Sequence, residues 1–143
     1  MHPVLTSAGA YNTAATAAVL AVAAEEPANF EALHEALVAF SLDAMMSQET
    51  EVLTDLEASK EAVATIAAEQ GISEAVIASF DTDAAMSYLQ ASTAAWTSRD
   101  VEGRETTASP EFVYRDAKLS ATGDDGQQMF DSLMTAMSQL RGE

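Results

Sequence analysis

Two histidines, no cysteine and 23 carboxylates set the chemistry open to this chain of 143 residues. Glu31-Ala32-Leu33-His34 has the Glu-x-x-His spacing that puts both side chains on one helix face, as in helical di-iron sites. Such a site needs a second copy of the motif and further glutamates on facing helices. The only other histidine is His2, so the spacing predicts no metal centre, and His34 reads as a partly exposed helix residue. A nucleophilic serine on a Gly-x-Ser-x-Gly turn is absent, as is a glycine-rich phosphate loop. Asp124-Asp125-Gly126 makes a turn without the alternating ligands and closing glutamate of a calcium loop. A general acid needs a carboxyl lifted by an apolar pocket; Asp43 and Glu61, beside apolar stripes, would qualify only if buried. The lack of cysteine removes disulfides and thiolate metal sites and leaves the compartment open. The expectation is a protein without catalytic, cofactor-binding or metal-binding residues, and not an enzyme.

Charge is strongly segregated along the chain. The formal net charge is −17, yet the first 24 residues hold no Asp, Glu, Lys or Arg. Residues 25–98 carry 14 acids and one base, Lys60, whereas residues 99–143 carry nine acids and five bases. Two lysines and four arginines cannot form a basic patch, and the phosphate backbone would be repelled, so no direct nucleic-acid contact is expected. The acidity fits a solvated surface adapted to high salt. It also fits a face for a basic protein, including one that mimics nucleic acid.

The hydrophobic fraction of 48% is inflated by 30 alanines, while Ile, Leu, Val and Phe together number 28. That is near the level at which a chain struggles to fold alone. Alanine favours helix and gives up no rotamer entropy, but it buries little area. Helices are therefore expected, with part of their stabilisation drawn from other subunits.

Three segments follow: an uncharged N-terminal arm or helix (1–24), an acidic helical core (25–99), and a loop or strand segment with a C-terminal helix (100–143). Ala21-Val22-Ala23 imitates a signal-peptide cleavage site. No Lys or Arg precedes it, however, and Asn12, Thr13 and Thr16 interrupt the apolar run. The stretch is also too weak for a membrane span. A helix without charge is normally covered on most sides. The arm is thus expected to dock on neighbouring subunits through Val19, Leu20 and Val22, the alternative being an ordinary central helix of one bundle.

After Asn29, the spacing of Phe30, Leu33, Leu37, Phe40 and Ala44 marks one helix face, widened by Leu42, Met45 and Met46. Ser47 is expected to cap a second helix, with Glu49 and Glu51 in its first turn and Val52, Leu56, Val63 and Ile66 as its stripe. Gly71 is a stop. Ser73 opens a short segment, and Asp81 or Asp83 caps a helix bearing Met86, Leu89 and Trp96. Beyond Pro110, residues 111–119 suggest one extended strand, in need of a partner or pinned as a loop by Phe112 and Tyr114. The last helix, about 127–140, has Phe130, Leu133, Met137 and Leu140 as its core stripe, with Met129 and Met134 flanking. Phe130, Met134 and Met137 offer an adaptable contact face.

The fold class expected is all-α, a bundle of about five helices with an irregular or short-strand segment near 100–126. The function expected is a non-catalytic structural or assembly subunit of a virion, tail or secretion-type apparatus, acting as a homo-oligomer or within a hetero-assembly. The alternative is an acidic inhibitor or regulator of a basic protein surface.

Overall fold

The computed structural model describes residues 9–48, 50–105 and 112–142. The readings made on residues 1–8, Glu49, Pro110 and Glu111 lie outside them. Among the described residues the helices are α1 (Gly9–Glu25), α2 (Phe30–Ser47), α3 (Glu51–Thr54), α4 (Leu56–Glu69), α5 (Glu74–Ile77), α6 (Thr82–Ser98) and α7 (Gly126–Arg141). Strands β1 (Phe112–Tyr114) and β2 (Ala117–Leu119) precede α7. Since α3 and α5 are single turns, the architecture is the expected one: five long helices and a short strand segment. The chain forms two compact units, Met1–Trp96 and Thr97–Glu143.

In the first unit α1 is central and packs against α2, α3, α4 and α5. Tyr11, Thr13, Ala14, Ala17, Ala18 and Val22 are buried. This explains the missing charge, because a helix contacted on most sides has no solvent for a charged group. Its small side chains let the neighbouring helices come close. Tyr11 donates a hydrogen bond from its hydroxyl to the Leu37 carbonyl at 2.8 Å and stacks on Phe40. The Thr13 hydroxyl donates back to the Gly9 carbonyl at 2.6 Å. The expectation that this segment needs a neighbouring subunit for its cover is therefore corrected: α2 to α5 of the same unit supply most of it. Leu33, Leu37, Ala44, Leu53, Val63, Ile66, Ala67, Ile72 and Val76 complete the core.

The caps place the boundaries. Ser47 does not open a helix; its hydroxyl donates to the Asp43 carbonyl at 2.9 Å, and α2 closes at Gln48 with φ 62°. Asp55 in extended backbone caps α4 instead, its carboxylate accepting from the Ala58 N–H at 2.8 Å. Asp81 caps α6, accepting from the Asp83 and Ala84 N–H groups at 3.0 and 2.9 Å.

In the second unit the expected single strand folds back on itself, pairing Phe112 with Leu119, Val113 with Lys118 and Tyr114 with Ala117. Arg115 and Asp116 form the turn at φ 50° and 63°, the pattern of a two-residue type I′ hairpin. Left-handed backbone costs a non-glycine residue about 1 kcal/mol, and local bonds offset it. The Arg99 guanidinium pairs with the Asp116 carboxylate, the Glu102 N–H donates to the Asp116 carbonyl at 2.7 Å, and the Lys118 N–H donates to the Glu102 carbonyl at 2.9 Å. The strand's partner is thus its own chain. Asp125 caps α7 by accepting from the Gln128 N–H at 2.8 Å. No residue of α7 is buried, so Phe130, Leu133, Met137 and Leu140 are not the core stripe the spacing predicts. A small unit with one short hairpin has too little surface to cover a helix of 16 residues.

Candidate interaction surfaces

At 100° per residue, the positions of α2 that point Leu33, Leu37 and Ala44 into the core turn Val38, Leu42 and Met46 outward. From Ala36 to Ser47 the only charge is Asp43. Leu42 is 52% exposed, Met46 85%, and Val38 and Met45 are likewise exposed. These residues do not widen the core face as expected; they form a second apolar stripe on the far side of the helix. Toward the N-terminus the same stripe turns acidic, with Glu31 and Glu35 exposed.

On α7, Phe130, Met134 and Met137 follow one another at helical spacing, and Arg141 continues the line. Phe130 is 57% exposed and Met134 42%, whereas Met137 is half-buried. The hairpin fixes the cationic end. Arg141 donates from Nε to the Tyr114 hydroxyl at 3.2 Å, and Arg115 donates from Nη1 to the Leu140 carbonyl at 2.9 Å. Both guanidinium groups lie over the Tyr114 ring, 5.7 and 5.4 Å from its centroid. The hydrogen bond from Arg141, with the two positive charges, holds the Tyr114 hydroxyl below the ordinary phenol range. Tyr114 therefore anchors two cations at the C-terminal end of the α7 stripe, and Phe112 stands exposed on the same hairpin.

The proposed contact residues of α1 separate by helical phase. Val22 is fully buried, so it is closed to any partner; Val19 is half-buried against the core; Leu20 is exposed. Leu20 lines a shallow groove of about 280 Å³ with Ala17, Ala21 and Ala84, edged by Glu25 and Asp81. The structure thus gathers Phe130, Met134 and Met137 into one stripe near Tyr114. The outward stripe of α2 was missed, although a nearly charge-free run with apolar residues at two helical phases carried the signal.

The chemistry-bearing residues converge nowhere among the described ones. His34 is exposed and stacks on Phe30. Asp43 and Glu61 are exposed, so no apolar pocket encloses either carboxyl. No group of three His, Cys, Asp or Glu side chains in the described residues is arranged to hold a metal ion. A groove of about 370 Å³ beside Ala14, Val63 and Phe80 has at its edge Lys60, paired with Glu57 at 3.0 Å. No described helix is long and apolar enough to cross a membrane. Comparison with family models, curated proteins and solved structures finds no match to this chain.

Proposed function

We propose that this protein is a non-catalytic helical subunit that works by association with other protein subunits, in an assembly of the virion, tail or secretion-apparatus kind. The supporting observation is the pair of exposed apolar stripes, Val38–Leu42–Met46 on α2 and Phe130–Met134, continued by half-buried Met137, on α7. Fully burying one such side chain is worth about 1.5–3 kcal/mol, so leaving several in water is costly unless a partner covers them. The test is a variant with Leu42, Met46, Phe130 and Met134 all changed to Ser. Exposed positions contribute little to folding, so its far-UV circular dichroism and melting midpoint should match those of the parent while its association is lost. A parent that forms multimers whose molar mass the variant leaves unchanged would contradict the part given to these two stripes.

A second reading, an acidic regulator covering a basic protein, draws on the first unit. Its only base in residues 25–98, Lys60, is already paired with Glu57. Salt separates the two, because affinity for a basic partner should collapse in molar NaCl whereas apolar association should persist or strengthen.

A further inference from the structure

Building on the assembly reading, we infer that the α2 stripe of one copy takes the α7 stripe of a second copy in antiparallel orientation, joining chains head to tail. Along α2 the outward line reads Glu35, Val38, Leu42, Met46: an acid, then three apolar residues. Along α7 it reads Phe130, Met134, Met137, Arg141: three apolar residues, then a base. Both lines cover 11 residue steps, about 16 Å at 1.5 Å per residue. Set antiparallel, Arg141 meets Glu35, Met137 meets Val38, Met134 meets Leu42 and Phe130 meets Met46. Arg115, held beside Arg141 on Tyr114, adds a second cation opposite Glu31 and Glu35. Antiparallel helices also oppose their dipoles favourably.

Charge selects this occupant over the symmetric ones. Pairing α2 with α2 gives Glu31 and Glu35 no cation, because Lys60 is the only base in that part of the chain and sits with Glu57 on α4. Five of the six bases lie in the second unit. Setting α7 parallel to α2 would bring Asp124 and Asp125 toward Glu31 and Glu35. The antiparallel arrangement instead turns those aspartates toward Glu51, a repulsion that salt screens.

Two different faces make this a heterologous contact, which closes into a ring or runs on as a filament. Three or four side chains per face fall well short of the roughly 800 Å² per partner of a standard interface. Each contact is thus weak, and chain length should grow with protein concentration.

The test uses two variants of the full chain, Leu42→Ser/Met46→Ser and Phe130→Ser/Met134→Ser. Each lacks one face and keeps the other, and circular dichroism confirms that each is folded. By light scattering in 1 M NaCl the parent should form multimers and each variant alone should be monomeric. An equimolar mixture should give dimers and nothing longer. Read at 0.1 M NaCl, where exposed charges still act over about 10 Å, charge reversal by Glu35→Arg or by Arg141→Glu should weaken association, and the two reversals combined should restore most of it. Monomeric variants that fail to dimerise on mixing would overturn the head-to-tail contact, as would multimers unaffected by either variant; in both cases the broader assembly reading stands. A parent that stays monomeric under the same conditions overturns this inference, and association with a different protein then remains the test of the broader reading.

Discussion

At the scale of single residues, the first unit is held by a few well-placed polar groups in a core of small side chains. Tyr11 joins α1 to α2 through the Leu37 carbonyl. Tyr11→Phe should cost about 1 kcal/mol by urea unfolding at neutral pH. Burial raises the Tyr11 hydroxyl far above the ordinary phenol range. The neutral form is therefore the one the fold holds: its contribution is complete below about pH 10 and is lost as pH rises further. Tyr11→Phe should remove that alkaline loss. Glu26 works in the opposite direction. Its carboxylate accepts from the Ser73 N–H at 3.2 Å and the Asn29 side-chain amide at 3.1 Å, and these bonds, with that from the Ser73 hydroxyl foremost, lower its pKa. Its contribution is present above the ordinary carboxylate range and fades as pH falls through the lowered value. Glu26→Gln should thus destabilise at pH 7 and by progressively less as the pH is taken down below the ordinary carboxylate range, which melts over a series of pH values would show. Ala18, fully buried in α1, tests the close packing itself: Ala18→Leu should destabilise by about 1–3 kcal/mol through overpacking.

At the scale of elements, the ends of helices follow their caps and the faces follow their neighbours. Gln48 closes α2 at φ 62°, where glycine is unstrained. Gln48→Gly should therefore raise stability by roughly 0.5–1 kcal/mol in thermal melts. Deleting residues 1–25 removes the central helix α1, so the first unit should lose cooperative unfolding altogether. The uncharged run of α1 left an arm or a helix open; for the other four long helices periodicity sufficed, because residues such as Leu33, Leu37, Val63 and Ile66 repeat at helical spacing whatever covers them. It could not reveal what covers a given stripe. α1 is uncharged on every face and α7 is apolar along one, yet four neighbours enclose the first and a hairpin barely touches the stripe of the second. Ser47 and Asp55 are both acceptable caps, and only the backbone at Asp55 is extended. The hairpin was hidden for a further reason. Its turn uses Arg115 and Asp116 in place of the usual Asn-Gly, and distant Arg99 and Glu102 stabilise it.

At the scale of the whole molecule, a net charge of −17 on 143 residues opposes both compactness and self-association. Screening shortens the reach of that repulsion from about 10 Å at 0.1 M salt to about 3 Å at 1 M. The melting midpoint should accordingly rise with NaCl over this range, and a flat or falling trend would remove self-repulsion from the account. The division of labour follows from where the bases lie. The first unit is acidic and carries the stripe that begins with Glu31 and Glu35; the second holds the arginines that end the stripe of α7. Covering these two stripes is what the chain is proposed to do, and the most direct check is its molar mass against concentration by light scattering in 1 M NaCl. The account predicts a mass that climbs above the 15.0 kDa of one chain as concentration increases. A mass fixed at 15.0 kDa throughout would contradict self-association of this protein.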